Sequence, residues 1–415
     1  MRMLMVGAGS CQISGIKRLK AMGIEVVAAD YNERTPGKEM ADFAVLADAF
    51  DAGAIAKTAA DYAVDGIMTM GTDQPVLSVM RSANALGLSA SLSDETALWV
   101  TNKKYMKQRF TAFDIPTVPY QILTRPDEPI AIKGPYVTKP FDSQGQRGIF
   151  LLKEPGAVRS HFEKVLRYSR EKEILIESFY PSDEVTVSGW VSDARVHVLT
   201  LTDRVTFDPE AHIGVCVAHE YPSIYAESHG EEILALTERI CKVFGIEDGP
   251  IYFQMLIGSE GICVNEIACR LGGAYEDISI PWATGVDVLD LQIKTALGIK
   301  EAFSVLNPYC GSGLSLHVPK KYFSTQLFFC RPGKIEEMPT LESIEALPFV
   351  VSAGYNIKAG DDMESIENAS QRVGFAVVVG ASETEIQKNI DLFYEKMAIK
   401  NSQGENLVIK RHRNR

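Results

Sequence analysis

The chain has 415 residues, 46% of them hydrophobic and 23% charged, with a formal net charge of −12 at pH 7. That length holds roughly two to four domains with real cores, and the acidic balance argues against a nucleic-acid or anionic-membrane surface. No apolar run approaches the roughly 18 residues a membrane helix needs.

The start Arg2-Met3-Leu4-Met5-Val6 runs into a strand and reads as no secretory leader. Seven scattered cysteines, never spaced C-x-x-C, are expected to be free thiols in a reducing cytosol. Residues 1 to about 92 alternate strand and helix. Leu4-Met5-Val6 is a buried strand, Ile13 to Met22 a helix, and Ile24 to Ala29 a strand closed by Asp30. A strand near Ala44-Val45-Leu46, a helix over Ala52 to Tyr62, a strand at Gly66 to Met70 and a helix from Pro75 to Leu86 follow. Such alternation predicts a parallel sheet covered on both faces. Gly7-Ala8-Gly9 with Asp30 looks like the opening of a dinucleotide fingerprint, but Gln12 stands where the third glycine should be. Gly71-Thr72-Asp73-Gln74 follows a strand end, where open α/β sheets place ligands; it serves a substrate or merely shapes a turn.

A helix capped by Ser93 is expected to carry Asn102-Lys103-Lys104 on into Phe110. Ile115 to Pro119 is an extended linker, because the residue before a proline is pushed out of the α region. Val137-Thr138-Lys139 then ends a strand on a lysine. The loop Ser143-Gln144-Gly145-Gln146-Arg147-Gly148 returns to a strand at Ile149 to Leu152. A loop of this kind folds over a polyphosphate with N–H groups and the ammonium facing the oxygens, or is only a hairpin turn. A helix near Pro155 to Arg170 comes next. The strand Glu173 to Glu177, a bend through Tyr180, and Glu184 entering a new strand suit an adenosine pocket; solvated strand ends are the plainer alternative.

Strands at Val196 to Leu201 and Val215 to Ala218 precede a long helix, Ser228 to Phe244. The turn Gly258-Ser259-Glu260-Gly261 pairs two strands so that Gln254 and Glu266 lie on neighbours. Glu266 supplies the hard oxygen that Mg²⁺ prefers. Arg270, four residues on, suits an oxyanion, and Gly272-Gly273 follow. No Walker P-loop is present. A helix from about Val286 to Leu297 stops at Gly298. Beyond about 310 the strands are short (Leu314 to Val318, Gln326 to Cys330, Phe349 to Val351, Phe375 to Val379), and a final helix spans Ser382 to Met397.

Taken in order, Lys103, Lys139 before its loop, Glu177, Glu184, Gln254, and Glu266 with Arg270 resemble the ATP-grasp superfamily of carboxylate–amine ligases. The likeness covers roughly residues 1 to 400 and is closest to the L-amino-acid (dipeptide) ligases. It implies an α/β fold, α+β overall, with a pre-ATP-grasp domain over 1–92 and an ATP-grasp domain over 93–309, its lid about 131–189. A strand-rich domain over 310–415 completes it. It implies Lys103 and Lys139 at the α- and β-phosphates, and Ser143, Gln144, Gly145, Arg147 and Gly148 in a lid over the γ-phosphate. Glu177, with main chain through Tyr180, would hold adenine, Glu184 the ribose, and Gln254 and Glu266 the Mg²⁺ (or Mn²⁺). Arg270 would face the acyl phosphate, Arg204 a second anion, and His219 the first amino acid.

The chain departs from the pattern at Ala268, often an asparagine, at Gln254, often an acid, and at Cys216, where the amino-acid ligases commonly carry a glutamate. The implied reaction joins a small carboxylate to an amine through an acyl phosphate, using ATP and releasing ADP and phosphate in the cytoplasm. A homodimer is open, since many relatives are dimers. A purine-type or bicarbonate-using ligase, a small-molecule kinase on the same fold, and a regulatory protein with a decayed site remain as alternatives.

Overall fold

This computed structural model describes residues 1–207, 213–299, 304–310 and 321–410. Strands β1 (Arg2–Val6), β2 (Glu25–Asp30), β3 (Phe43–Leu46) and β4 (Gly66–Met68) form a parallel sheet in the order β3-β2-β1-β4. Alternate residues of β1 enter different cores, Met3 and Met5 on one face and Leu4 and Val6 on the other. Period-two alternation with both faces buried is what a parallel sheet under helices demands. The loop after β1 is tied down through Asp30 and Gln12. Ala8 N–H donates to Asp30 Oδ2 at 2.9 Å, Gly9 N–H donates to Gln12 Oε1 at 3.0 Å, and Gln12 Nε2 donates to the Met70 carbonyl at 2.5 Å.

A smaller antiparallel sheet holds β5 (Tyr120–Leu123), β6 (Tyr136–Lys139), β7 (Phe150–Leu152) and β8 (Ile174–Ser178) in the order β5-β8-β6-β7. The helix Pro155–Leu166 backs it through Val158, Phe162 and Val165.

The third sheet takes β9 (Ser182–Ser192), β10 (Arg195–Thr206), β11 (Cys216–Tyr221), β12 (Gly249–Gly258), β13 (Gly261–Ala268) and β14 (Tyr322–Phe328). After the short ribbon partner β15 (Gly333–Lys334) it gains β16 (Val350–Tyr355), and after β17 (Asp362–Met363), which pairs with β15, it gains β18 (Gly374–Gly380). Among the described residues the order is β13-β12-β9-β10-β11-β14-β18-β16, all antiparallel. The sheet therefore runs unbroken across residue 310, where the composition changes. One face is apolar: Val185, Val187, Phe253 and Met255 pack on Ile233, Ile240 and Phe244 of the helix Ala226–Phe244. The other face buries Thr186, Ser188, Thr200 and Thr202. Buried hydroxyls in that number mark a wall facing something polar.

One expectation is corrected. The helix from Ser93 is two helices, Asp94–Thr101 and Lys103–Ala112, because Asn102 is extended (φ −113°, ψ 116°) and its side chain accepts from Lys104 N–H. That break places Lys103 in a first turn, its own N–H donating to the Phe141 carbonyl at 3.1 Å. The structure adds a helix over Glu276–Thr284, with Pro281 inside it, beyond the elements expected from the sequence. The strand expected at Leu314 to Val318 lies outside the described residues. No helix among the described residues is long and apolar enough to cross a membrane.

Candidate active site

Two irregularities aim the polar face. Gln254 stands opposite Glu266, but the next pair is Met255 opposite Val264, so Asn265 is an extra residue. The bulge sends Val264 to the core and Glu266 to the polar side. In β10 and β11, Arg204 faces His219, Val205 faces Ala218 and Thr206 faces Cys216, leaving Val217 as the extra residue. Cys216 and His219, three positions apart, would point to opposite faces of a regular strand; here they share one.

Five ion pairs organise the charges. Lys103 Nζ lies 2.6 Å from Glu266 Oε1 and donates to the Ser143 carbonyl at 3.1 Å. Glu177 is buried between two lysines: Oε1 is 2.6 Å from Lys107 Nζ and Oε2 is 2.6 Å from Lys139 Nζ. Burial pushes the Glu177 carboxyl up, but the two ammonium groups overcome it and hold its pKa at about 2. Lys139 also donates to Asn265 Oδ1 at 2.9 Å, the residue freed by the bulge. Arg204 is paired with Glu184. Arg270 Nη2 lies 2.6 Å from Asp73 Oδ1, and its guanidinium sits over the Tyr252 ring, 4.1 Å from the centroid.

Asp73 reaches Arg270 because two glycines let the backbones meet. Gly71 N–H donates to the Leu271 carbonyl at 3.0 Å, and a Cβ on Gly273 would lie 2.5 Å from the Gly71 oxygen. One on Gly272 would lie 2.4 Å from the Glu276 carboxyl carbon.

Asp73, Lys103, Arg204, Glu266 and Arg270 help wall a cavity of about 710 Å³. The sheet supplies its floor through Arg204, His219, Tyr252, Gln254 and Glu266. Loop 143–148 closes over it: Gln144 Oε1 accepts from Asp73 N–H at 3.1 Å, and the Gly145 carbonyl accepts from Ala369 N–H at 3.0 Å. Gly145 and Gly148 have φ of +66° and +76°, and a Cβ at Gly148 would meet the Tyr168 ring at 2.7 Å.

Of the residues singled out in the sequence, Lys103, Ser143, Gln144, Gly145, Arg147, Arg204, His219, Gln254, Glu266 and Arg270 are brought together in this wall. Lys139, Gly148, Glu177, Tyr180 and Glu184 are not part of the lining. Tyr180 instead ties down a turn, donating to the Gly261 carbonyl and accepting from Glu260 N–H, both at 2.9 Å. Glu177, expected at the adenine edge, has both oxygens taken by lysines.

His219 is buried, with Nδ1 3.2 Å from Thr202 Oγ1. Burial and the nearby Arg204, Arg372 and Arg270 lower its pKa to about 3, so it is a neutral hydrogen-bonding group at neutral pH. Sequence reasoning missed Lys107, Tyr252 and Arg372. Lys107 lies one helical turn beyond Lys103, a spacing that shares a face, and so had a legible signal; Arg372 had none.

Residues 326–400 match the family model of L-amino acid ligase C-terminal domain 2. The crystal structure of L-amino acid ligase from Bacillus licheniformis matches at a TM-score of 0.80 and 17% identity, over 97% of this chain and 98% of that one. The chain has the ATP-grasp fold. The same ATP-grasp architecture relates it to the biotin carboxylase domain dimer of Hydrogenobacter thermophilus 2-oxoglutarate carboxylase, crystallised with magnesium ADP and bicarbonate. That likeness has a TM-score of 0.73 at 15% identity, over 96% of this chain and 90% of the other. In sequence, dapdiamide A synthase of Enterobacter agglomerans is 22% identical over 306 residues, 68% of this chain and 69% of its own length. On this ATP-grasp scaffold the cavity is walled by the loop after β4, the loop after β6, the polar face of the large sheet and the turn at residues 368–372.

Proposed function

We propose that this chain is an ATP- and magnesium-dependent ligase that joins a small carboxylic acid, an amino acid or a related acid, to an amine through an acyl phosphate. The observation that carries this reading is the convergence of Lys103, Gln254, Glu266 and Arg270 on one cavity under the glycine-bearing loop of an ATP-grasp fold.

Lys103 lines the cavity and would meet the phosphate oxygens there, and Lys139, fixed by Glu177 and Asn265, would add its positive charge from behind the wall. Glu177 acts by positioning Lys139, so the adenine edge falls to the main chain through Tyr180, with Glu184 toward the ribose. Glu266 and Gln254 stand side by side as hard oxygen donors. One carboxylate and one amide suit Mg²⁺, which takes few protein ligands when phosphates and waters complete its shell. Held there, the ion would neutralise the phosphate oxygens.

The acid's carboxylate oxygen attacks the γ-phosphorus and ADP leaves; the amine nitrogen then attacks the acyl carbon, phosphate leaves, and the amine gives up a proton. Little of this needs covalent help from the protein, so catalysis is positioning and charge neutralisation. Arg270, locked by Asp73 but with Nη1 lacking a partner, offers a donor to the developing oxyanion. The closed loop excludes water from the acyl phosphate. Seven unpaired thiols suit a reducing cytoplasm.

The reading is tested by ADP release from purified protein with Mg-ATP and pooled acids and amines. Release should require both an acid and an amine, and Lys139→Ala and Glu266→Ala should each lower it at least about 100-fold in a folded protein. Wild-type rates in both variants would remove the site assignment.

A further inference from the structure

We infer that the acid this site activates is a dicarboxylate, with Arg372 holding its second carboxylate while Arg270 serves the reacting one, an inference that rests on the ligase reading above. Two arginines in the cavity wall each keep one buried guanidinium nitrogen without a partner. Arg372 enters from the last third of the chain, donates Nη1 to the Gly273 carbonyl at 3.4 Å and hydrogen-bonds Tyr275, yet its buried Nε has no partner. Arg270, 6% exposed, spends Nε and Nη2 on Asp73, and its buried Nη1 has no partner. Both residues line the same wall. A buried polar group left unpaired is costly, and an orphaned guanidinium N–H beside a cavity marks a place built for an anion.

The surrounding charges point the same way. Among the described residues the carboxylates in the wall are Asp73 and Glu266, and each already has a cation, Arg270 and Lys103. An α-ammonium group would find no unpaired carboxylate there and would lie among arginines. A carboxylate gains charge-assisted bonds, for which the planar guanidinium fork is the matching shape. Cys216 and His219 of β11, beside Arg204 on the floor, are neutral: burial keeps the thiol protonated and the imidazole uncharged. They flank the carbon chain and supply no counter-charge for an amine.

Arg372 is also placed by a built turn. Asn368 caps the turn Ala369–Gln371, and Ala369 N–H of that turn donates to the Gly145 carbonyl. Tyr275, which holds Arg372, is itself kept at φ +59°, a conformation side chains rarely adopt. One short segment thus fastens the closing loop and delivers the guanidinium, so that recognition of the second carboxylate and closure over the acyl phosphate are joined.

The test compares succinate and glutarate with the monoacids butyrate and pentanoate and the zwitterions alanine and 4-aminobutyrate, each at fixed Mg-ATP with hydroxylamine as the amine, in wild type, Arg372→Gln and Arg372→Lys. Glutarate binding is measured in parallel by calorimetry. The dicarboxylates should be used at least about 10-fold better in kcat/KM than their monoacid and zwitterion counterparts. Arg372→Gln should raise KM for the dicarboxylate about 10- to 100-fold while KM for ATP moves by less than about threefold, and Arg372→Lys should restore part of the loss. Equal or better use of monoacids or zwitterions, or an unchanged dicarboxylate KM in Arg372→Gln, overturns the subsite and leaves the ligase reading standing. Turnover of no acid sinks the ligase reading; glutarate binding that Arg372→Gln abolishes would still support the anion subsite, and no binding to wild type would sink that as well.

Discussion

Glu177 sits 2.6 Å from each of two buried ammonium groups, and its removal leaves Lys107 and Lys139 as like charges with no counter-ion between them. Glu177→Gln is expected to lower stability by about 3–5 kcal/mol in urea unfolding. Lys107→Met leaves a matched Glu177–Lys139 pair and should cost about 1–2 kcal/mol. A larger loss for Lys107→Met would show that the carboxylate is not the centre of the cluster. His219 gives a pH signature. Its pKa is about 3 in the folded chain against an ordinary 6.5, so below pH 6.5 the unfolded chain binds a proton that the folded chain refuses. Stability therefore falls as pH drops from 6.5 toward 3, by at most about 1.4 kcal/mol per unit. Burial lowers His197 in the same direction, so the measurement is a difference. His219→Gln should flatten the urea midpoint between pH 6.5 and 4.5, above the range where Glu177, shifted from 4.5 to about 2, loses its pairs. An unaltered slope would contradict a neutral buried His219. Lys139, Glu266 and Arg270 are legible in the sequence because each ends, lies on or follows an apolar strand. Which of them pair is not, because Glu177 finds Lys107 only through a helix and a strand far apart in the chain.

At the scale of elements, the approach of the loop after β4 to the end of β13 decides whether Asp73 can hold Arg270. Gly273→Ala would put a Cβ 2.5 Å from the Gly71 carbonyl oxygen, which is backbone and cannot swing away. The expected result is a loss of about 1–3 kcal/mol in thermal or urea unfolding, together with at least a tenfold fall in ADP release as Asp73 is displaced. Wild-type stability and rate would mean that this contact does not set the site. Helices such as Ala52–Asp61 and the period-two strands of the first sheet are legible from hydrophobic spacing alone. The break at Asn102 is not, since a single capping residue between two helical runs looks like one helix. Neither are the bulges at Asn265 and Val217, because an extra residue in a strand changes which side chains face the cavity without changing the composition.

Across the whole molecule, the first sheet, the smaller sheet and the large sheet each lend residues to one cavity, and the large sheet continues past residue 310 to bring β14, β16 and β18 alongside. The order of the charged motifs makes the fold legible from Lys103 to Arg270, since most of them lie on or beside strands that the hydrophobic pattern also marks. The entry of Arg372 is invisible in the sequence, because it depends on how the last strands pack against the loop at 143–148. The central claim is that an acyl phosphate forms in this cavity. Its most direct measurement is hydroxylamine trapping with Mg-ATP and a carboxylic acid in the absence of any other amine. Hydroxamate should form in step with ADP, depend on the acid and be lost in Glu266→Ala. ADP formed with a stable phosphorylated product and no hydroxamate would contradict it and make the protein a kinase.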